Sequence, residues 1–394
     1  MDVLTLKLNP IQVLGLACFG LVMGAWLKRW FPFLDRVNIP AAVAGGLVYA
    51  IATLALRDRW LNLEMDMALR DVLMVGFFTS VGMNASLRLV RRGGRPVLAF
   101  LGLSIAGLLL QNVLGVSMAK ALGLDPLIGL LAGSISLTGG PATALAFGST
   151  FEELGVPSAA VLGLACAVFG ITAGGLLGGF VGGRLIRKHS LRPSAAAAAG
   201  VIDPSEAEVD SPLLNNIIAL GISMGLGTLV SLALQRAGLI LPAYIGAMIV
   251  AGLIRNIDDL TGFARVSPSE MDRIGSIALD IFIVMALLTL RLWELVNLAL
   301  PVLAILAAQV LLMLAICWAM VYRLMGSQYE AAIMSTGYCG FMLGTTANAL
   351  ACMQELTRKH GPAPAAFLAV SLVGAFLIDV SNALIVTHAL NLLR

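Results

Sequence analysis

Charged residues are scarce in this chain of 394 residues. Only 12% of the positions are Asp, Glu, Lys or Arg, and 59% are apolar, whereas a typical soluble domain has roughly 25% charged residues. Apolar runs recur from end to end, at the length of about 20 residues that spans the hydrocarbon core of a bilayer. The composition therefore excludes an ordinary soluble protein and predicts an all-α polytopic membrane protein.

Histidine and cysteine are also few, and their scarcity excludes several kinds of site. Three histidines are too few for a typical zinc centre, and the five cysteines lie in apolar segments without the paired spacing of a metal or disulfide framework. No His-Glu-x-x-His, Gly-x-Ser-x-Gly or Asp-pair motif has an identifiable partner. We therefore expect no enzyme activity, no cofactor and no metal beyond a transported ion. The N-terminus lacks a signal-peptide pattern, so the first apolar segment should direct insertion.

The apolar segments divide the chain into two similar halves. A first repeat is predicted over residues 1–187, a polar cytoplasmic linker over 188–212, and a second repeat over 213–394. Similarity between the halves extends to sequence, since Pro96-Val-Leu-Ala matches Pro301-Val-Leu-Ala. Five spans are predicted in each half, at residues 11–27, 39–56, 71–89, 96–121 and 157–186, and at 213–234, 241–254, 274–290, 299–324 and 362–392.

Each half also contains an apolar stretch that glycines interrupt. These stretches cover about residues 126–151 and 329–356, and Gly133 and Gly140 of the first fall on Gly337 and Gly344 of the second. Short, Gly-interrupted segments at matching places in two halves are the best sequence pointer to the binding site of a transporter. Packing that merely requires small residues is the alternative interpretation. We predict one re-entrant helical hairpin in each half.

The distribution of basic residues predicts the orientation in the membrane. Five spans are an odd number, so the second half should insert upside down relative to the first. With the N-terminus outside, 17 of the 25 Lys and Arg residues lie in cytoplasmic loops, against 8 in the opposite orientation. The positive-inside rule therefore favours two inverted-topology repeats with both termini outside.

The interrupted stretches carry the predicted substrate site. Unwound backbone at membrane depth has to line protein or a watery cavity, and the N-terminus of a half-helix attracts anions. We expect turns at residues 138–141 and 344–346. The predicted substrate-binding residues are Ser136, Thr138, Gly139, Gly140, Thr143, Gly340, Gly344, Thr345, Thr346 and Asn348.

Two carboxylates, Asp280 and Asp379, lie deep in apolar sequence, where a charge costs at least ~2.5 kcal/mol and usually serves a function. Asp379 and Asn382 share a helix face and offer oxygen ligands for a hard cation such as sodium; a structural role for Asp379 stays open. For Asp280, a cap and an ionic role are both open. Ser80 and Asn84 share a face and are further candidates for the ion, or for a polar contact between helices.

Several motifs resemble the bacterial sodium/glutamate symporter family. They are residues 67–85 (MALRDVLMVGFFTSVGMNA), the Gln111-Asn112 pair, residues 123–135 (GLDPLIGLLAGSI), Leu292-Trp-Glu-Leu, and residues 374–384 (GAFLIDVSNAL). The resemblance covers almost the whole chain except the linker. It implies ten spans in inverted repeats, two re-entrant hairpins, a homodimer with an elevator-type mechanism, and sodium-driven glutamate uptake across the bacterial inner membrane, so that both outer termini would be periplasmic.

This chain departs from the family pattern at both hairpin tips. The first tip usually reads Gly-Gly-His-Gly-Thr and here has Pro141 and Ala142; in the second, Tyr338 replaces His and Met342 replaces Gly. Asp280 stands where a small polar residue is expected. The leading hypothesis is a sodium-coupled symporter importing L-glutamate or a closely related small carboxylate. The alternative is a proton-coupled transporter of another amino acid or dicarboxylate; a channel and a membrane-embedded enzyme fit the sequence less well.

Overall fold

The structure is a computed structural model that describes residues 4–36, 39–56, 61–193, 213–289 and 298–393. Most of the predicted linker, residues 194–212, and the Leu292-Trp-Glu-Leu motif lie outside the described residues. In the first half the elements are β1 Leu4–Leu8, α1 Pro10–Trp30, α2 Pro32–Arg36, α3 Ala41–Leu56, β2 Leu61–Met65, α4 Ala68–Met83, α5 Leu87–Ala121, α6 Pro126–Leu130, a π-helical turn Leu131–Ile135, α7 Gly140–Glu153 and α8 Ala159–His189.

The described residues of the second half form a further series of helices. Its elements are α9 Leu213–Arg236, α10 Tyr244–Thr261, α11 Pro268–Leu288, α12 Ala299–Ile316, a π-helical turn Cys317–Val321, α13 Tyr322–Leu324, α14 Tyr329–Met342, α15 Thr346–His360, α16 Pro364–Leu372, a π-helical turn Val373–Leu377 and α17 Ile378–Leu393. Within the described residues, five helical stretches are long and apolar enough to cross a membrane: Pro10–Trp30, Gly93–Ala121, Ala159–His189, Leu213–Arg236 and Ala299–Leu324.

Two details differ from the sequence-based expectation. The chain is not purely helical, because β1 and β2 pair in parallel from Leu4 opposite Leu61 to Leu8 opposite Met65. The predicted span 71–89 also ends earlier, since α4 stops at Met83 and Ser86 caps α5 by accepting a hydrogen bond from the Leu89 N–H at 3.3 Å. α5 is kinked at Gly94, which has a φ of 62°. The kink separates the basic first turns of the helix from its apolar remainder.

Both predicted interruptions are breaks between two helices. The first broken segment (residues 126–153) turns at Thr138 and Gly139, and α7 then begins at Gly140, which has a φ of 68° that a glycine adopts without strain. The second broken segment (residues 329–360) is interrupted at residues 343–345. Its arms α14 and α15 lie side by side, because a Cβ placed on Gly340 would be 2.6 Å from the Ala349 Cα and one on Gly337 would be 2.6 Å from the Met353 sulfur.

The helices form two packed groups. One group consists of the first three helical spans of each half, α1, α3 and α4 with α9, α10 and α11. The other contains both broken segments with α5, α8, α12, α16 and α17. Glycines spaced four residues apart on α8 let α14 approach closely, because a Cβ on Gly174 would be 3.1 Å from the Gly340 carbonyl oxygen and one on Gly178 would be 3.2 Å from that of Thr336. The two groups meet where α11 and α4 face α7 and the last π-helical turn.

Candidate functional site

The two breaks contact each other through Gln111 of α5. The Gln111 Nε2 donates to the Met342 carbonyl oxygen at 2.8 Å, and its Oε1 accepts from the Thr138 hydroxyl at 2.8 Å. Gln309 of α12 supports the arrangement by donating to the Gln111 carbonyl oxygen at 2.8 Å. Gln111 and Gln309 are both fully buried. Because buried polar groups stay in place only when they are paired, this network fixes the two breaks against one another.

A second buried polar cluster lies at the π-helical turn before the first break. Ser134 and Asn382 are joined by two contacts, since the Asn382 Nδ2 donates to the Ser134 carbonyl oxygen at 3.0 Å and the Ser134 hydroxyl lies 2.6 Å from the Asn382 Oδ1. The same hydroxyl lies 2.8 Å from the Asn112 Oδ1. A serine hydroxyl has one hydrogen, so it can serve only one of these two oxygens at a time. The three oxygen atoms therefore form a buried acceptor-rich cluster.

A cavity of about 520 Å³ lies between the two groups of helices. Its wall on one side consists of residues from α1 to α4 and α11, including Ser80, Asn84 and Asp280. Its other wall consists of both breaks, the first residues of α7 and α15, and Asp379. Helix N-termini, which have N–H groups without intrahelical partners, thus face the same space as two carboxylates.

Part of the cavity wall consists of residues at the ends of α1 and α4 and at the start of α11. Lys28, in the last turn of α1, forms an ion pair with Asp35 at 2.9 Å, and Asn84, which follows α4, donates to Asp272 at 2.6 Å. These four side chains line the outer part of the cavity. A smaller cavity of about 400 Å³, lined by the Arg70–Asp71 pair, lies at the opposite ends of α4 and α11.

The structure brings eight of the predicted site residues to the large cavity. They are Ser80, Asn84, Thr138, Gly139, Thr345, Thr346, Asn348 and Asp379. Several have structural partners as well: the Thr346 hydroxyl donates to the Gly374 carbonyl oxygen at 2.5 Å, and the Asn348 Nδ2 donates to that of Ile171 at 2.9 Å.

The remaining predicted residues lie behind the cavity wall. Gly140 adjoins it, since a Cβ there would be 3.5 Å from Thr345 Cγ2, and Gly344 belongs to the second break. Gly340 lies in the contact between α14 and α15, and Ser136 and Thr143 are buried. Asn382 belongs to the Ser134 cluster rather than to the cavity. The sequence analysis did not predict Gln309 as part of the site. A glutamine within the otherwise apolar α12 is nevertheless a sequence signal for a buried polar contact.

Comparison with known proteins matches this chain to characterised transporters. The sodium/glutamate symporter family profile matches residues 6–362. A sodium/glutamate symporter from Escherichia coli (strain K12) is 39% identical over 394 residues, 96% of each chain. One from Haemophilus influenzae (strain ATCC 51907 / DSM 11121 / KW20 / Rd) is 35% identical over 393 residues, 95% of each chain. The chain belongs to the sodium/glutamate symporter family.

Membership of the sodium/glutamate symporter family confirms the resemblance seen in the sequence. It also confirms that the chain is not an enzyme, because the family consists of transporters, and that it is a multi-pass membrane protein. Among solved structures, the sodium proton antiporter MjNhaP1 from Methanocaldococcus jannaschii at pH 8 aligns with 97% of this chain and 98% of its own, at 14% identity and a TM-score of 0.44. That similarity is too low to support a conclusion.

Proposed function

We propose that this protein is a sodium-coupled symporter that imports L-glutamate, or a closely related small carboxylate, across the bacterial inner membrane. The observation that carries the proposal is the large cavity, into which both helix breaks and Asp379 project. The names of the relatives, which are 35% and 39% identical over nearly the whole chain, support the substrate and the ion.

The substrate carboxylates would bind at the starts of α7 and α15. In α15 the side chain of Thr345 accepts from the Asn348 N–H at 3.3 Å, and no side chain caps the start of α7. The remaining first-turn N–H groups and the helix dipoles favour an anion at both places. Among the described residues only one basic side chain, Lys28, lines the cavity, and it is paired with Asp35. A cation close to the anion would therefore strengthen its binding.

The sodium ion would bind between Asp379 and the Ser134 cluster. Asn112, Ser134 and Asn382 direct three side-chain oxygens to one buried place, and oxygen is the preferred ligand of hard cations. Exchanging the positions of the Asn112 Oδ1 and Nδ2 would reduce the number of acceptors but would create a new conflict. The Nδ2 donor would then face another donor, the Ser134 N–H, which now donates to the Asn112 Oδ1 at 3.3 Å. Ser80 and Asn84, on the other wall, stay as predicted ligands of the coupling sodium ion.

Alternating access would proceed by an elevator-type movement of one helix group against the other. The predicted inverted repeats, with the broken segments as re-entrant hairpins, would put the matched helices of both halves in the same group. With both termini periplasmic, the large cavity opens toward the cytoplasm, as in an inward-facing state. A homodimer would supply a static scaffold for the movement.

Uptake by reconstituted protein tests the function. Proteoliposomes should accumulate labelled L-glutamate only with an inward sodium gradient, and replacing sodium by choline on both sides should abolish accumulation. Undiminished uptake in choline would exclude sodium coupling. If an uncoupler abolished uptake at a fixed sodium gradient, the proton-coupled alternative would be favoured instead.

A further inference from the structure

We infer that Asp280 binds the ammonium group of an amino-acid substrate whose carboxylate lies at the starts of α7 and α15; this inference rests on the proposed function. Asp280 is exposed to the large cavity, on the wall opposite the two breaks. Within the described part of the chain it makes no hydrogen bond or ion pair. Carboxylates within the spanning region of a membrane protein usually serve a function, and a bound cationic group would give Asp280 a partner.

The distribution of charge in the cavity favours a substrate with separated charges. Of the four carboxylates on its wall, Asp35 is paired with Lys28 and Asp272 accepts from Asn84. Asp280 and Asp379 remain, on opposite walls. If Asp379 serves the sodium ion, Asp280 is left for the substrate, and an α-amino acid presents the ammonium group that it requires. A dicarboxylate without an amino group leaves Asp280 unpaired, so we expect it to bind less tightly.

The test compares L-glutamate with glutarate, which has the same two carboxylates and no amino group. Binding to purified protein is measured in sodium, as protection against thermal unfolding. The wild type should bind glutamate more tightly than glutarate. Asp280→Asn should weaken glutamate binding about tenfold or more, the factor expected for losing a hydrogen bond to a charged group, and should leave glutarate binding unchanged or improved. Asp272→Asn is the matched control, because Asp272 also lines the cavity, and should preserve the preference for glutamate.

Other outcomes separate this inference from the proposed function. Equal binding of glutamate by the wild type and Asp280→Asn would overturn the role of Asp280 alone, and so would an equal loss for both ligands. A wild type that binds neither ligand in sodium would overturn the proposed function together with the inference. Asp280→Ser provides a second neutral side chain, and its thermal unfolding without ligand checks that a loss of binding is not a loss of folding.

A separate observation points to a lipid site. A cavity of about 590 Å³ lies between the end of α8 and the α12–α13 segment, lined by Arg184, Lys188 and His189 on one side and by Trp318 and Arg323 on the other. Its described lining contains no carboxylate. Arg184 lies 5.7 Å from the centre of the Trp318 ring, whose buried Nε1 has no hydrogen-bond partner among the described residues.

We propose that this basic cavity binds the phosphate of an anionic phospholipid. Both flanking helices are apolar and long enough to span the membrane, so the cavity at their ends lies at the level of the lipid headgroups. Basic pockets between spanning helices are typical sites for such headgroups. Three cationic side chains, Arg184, Lys188 and Arg323, would all donate to the phosphate oxygens.

Thermal unfolding of delipidated protein tests this site. Phosphatidylglycerol should raise the unfolding temperature by about 2 °C or more over phosphatidylcholine, and the double variant Arg184→Gln, Lys188→Gln should lose the difference. Arg88→Gln, Arg91→Gln removes the same charge elsewhere and should retain it. If both double variants lost the stabilisation by phosphatidylglycerol equally, the lipid would be attracted to positive charge in general and not to this cavity. If inorganic phosphate alone stabilised the protein as much, the ligand of the cavity would be a soluble anion. Either result would overturn the proposal.

Discussion

Gly170 offers a sharp test of how α8 supports the two breaks. A Cβ on Gly170 would overlap the carbonyl oxygen of Leu343 in the second break and lie 2.7 Å from the Leu137 Cδ2 beside the first. The Leu137 side chain can turn aside, but the Leu343 carbonyl belongs to the backbone. Gly170→Ala therefore has to push α8 away from both breaks at once.

The cost of Gly170→Ala follows from this overlap. Forcing a methyl group into a well-packed interior costs typically ~1–3 kcal/mol, and any gain in helix propensity of about 1 kcal/mol only partly offsets it. The net cost is then up to ~2 kcal/mol. We expect a lower thermal unfolding temperature and a fall in sodium-driven uptake of up to about thirtyfold, because ~1.4 kcal/mol corresponds to a factor of ten. Because the substitution displaces the two breaks, we expect a larger relative effect on sodium-driven uptake than on the thermal unfolding temperature.

A matched control is available on the same helix. Among the described residues, nothing lies within 4 Å of a Cβ placed on Gly179, so Gly179→Ala should leave uptake unchanged and unfolding unchanged or slightly raised. Both variants are measured in the same detergent for unfolding and in the same liposomes for uptake. Wild-type uptake and unfolding by Gly170→Ala would refute the close approach of α8 to the breaks.

Three further substitutions test the site. Gly140→Val forces a side chain to a φ of 68°, which costs about 1–3 kcal/mol of strain, and should reduce glutamate binding measured by thermal shift. Gly155→Val is the control, because Gly155 has a φ of 93° in a loop, and it should lower stability without changing glutamate binding. Equal glutamate binding by the two variants would contradict the role of Gly140. Asn382→Ala should raise the sodium concentration for half-maximal uptake about tenfold. Asn391→Ala, which loses contacts to Ile240 and to the Thr387 carbonyl oxygen, away from the cluster, should not; an unchanged sodium requirement in Asn382→Ala argues against the Ser134 cluster. Asp379→Asn should make uptake independent of sodium or abolish it, and a wild-type sodium response would exclude Asp379 as a ligand.

The breaks could be predicted from the sequence because their causes are local. The Gly139-Gly140-Pro141 sequence favours a break, because a glycine adopts a positive φ without strain and a proline cannot continue a preceding helix, and the structure turns there. Five of the ten predicted spans likewise coincide with the helical stretches that are long and apolar enough to cross a membrane, and the other five stay predictions. The end of α4 was harder to predict from local sequence, because the Ser86 hydroxyl that caps α5 also contacts Asp259, 173 residues away.

The composition of the site depends on contacts that no local pattern encodes. Asn382 was predicted beside the ion from its spacing to Asp379, but its contact with Ser134 joins residues 248 positions apart. The pairing of β1 with β2 is equally non-local. Whether Asp280 faces lipid or the cavity depends on the rotation of α11, which its packing against α3 and α4 determines. The roles of these residues in transport stay predictions.

Gln111 has a consequence for how transport is organised. One amide side chain holds the Met342 carbonyl oxygen and the Thr138 hydroxyl together, so neither helix break can shift alone without leaving a buried polar atom unpaired. In the proposed elevator-type movement, the two breaks would therefore travel together as one rigid unit. Substrate release would then require that unit to slide along its neighbours, and the energy barrier to transport would lie at the interface between the two helix groups.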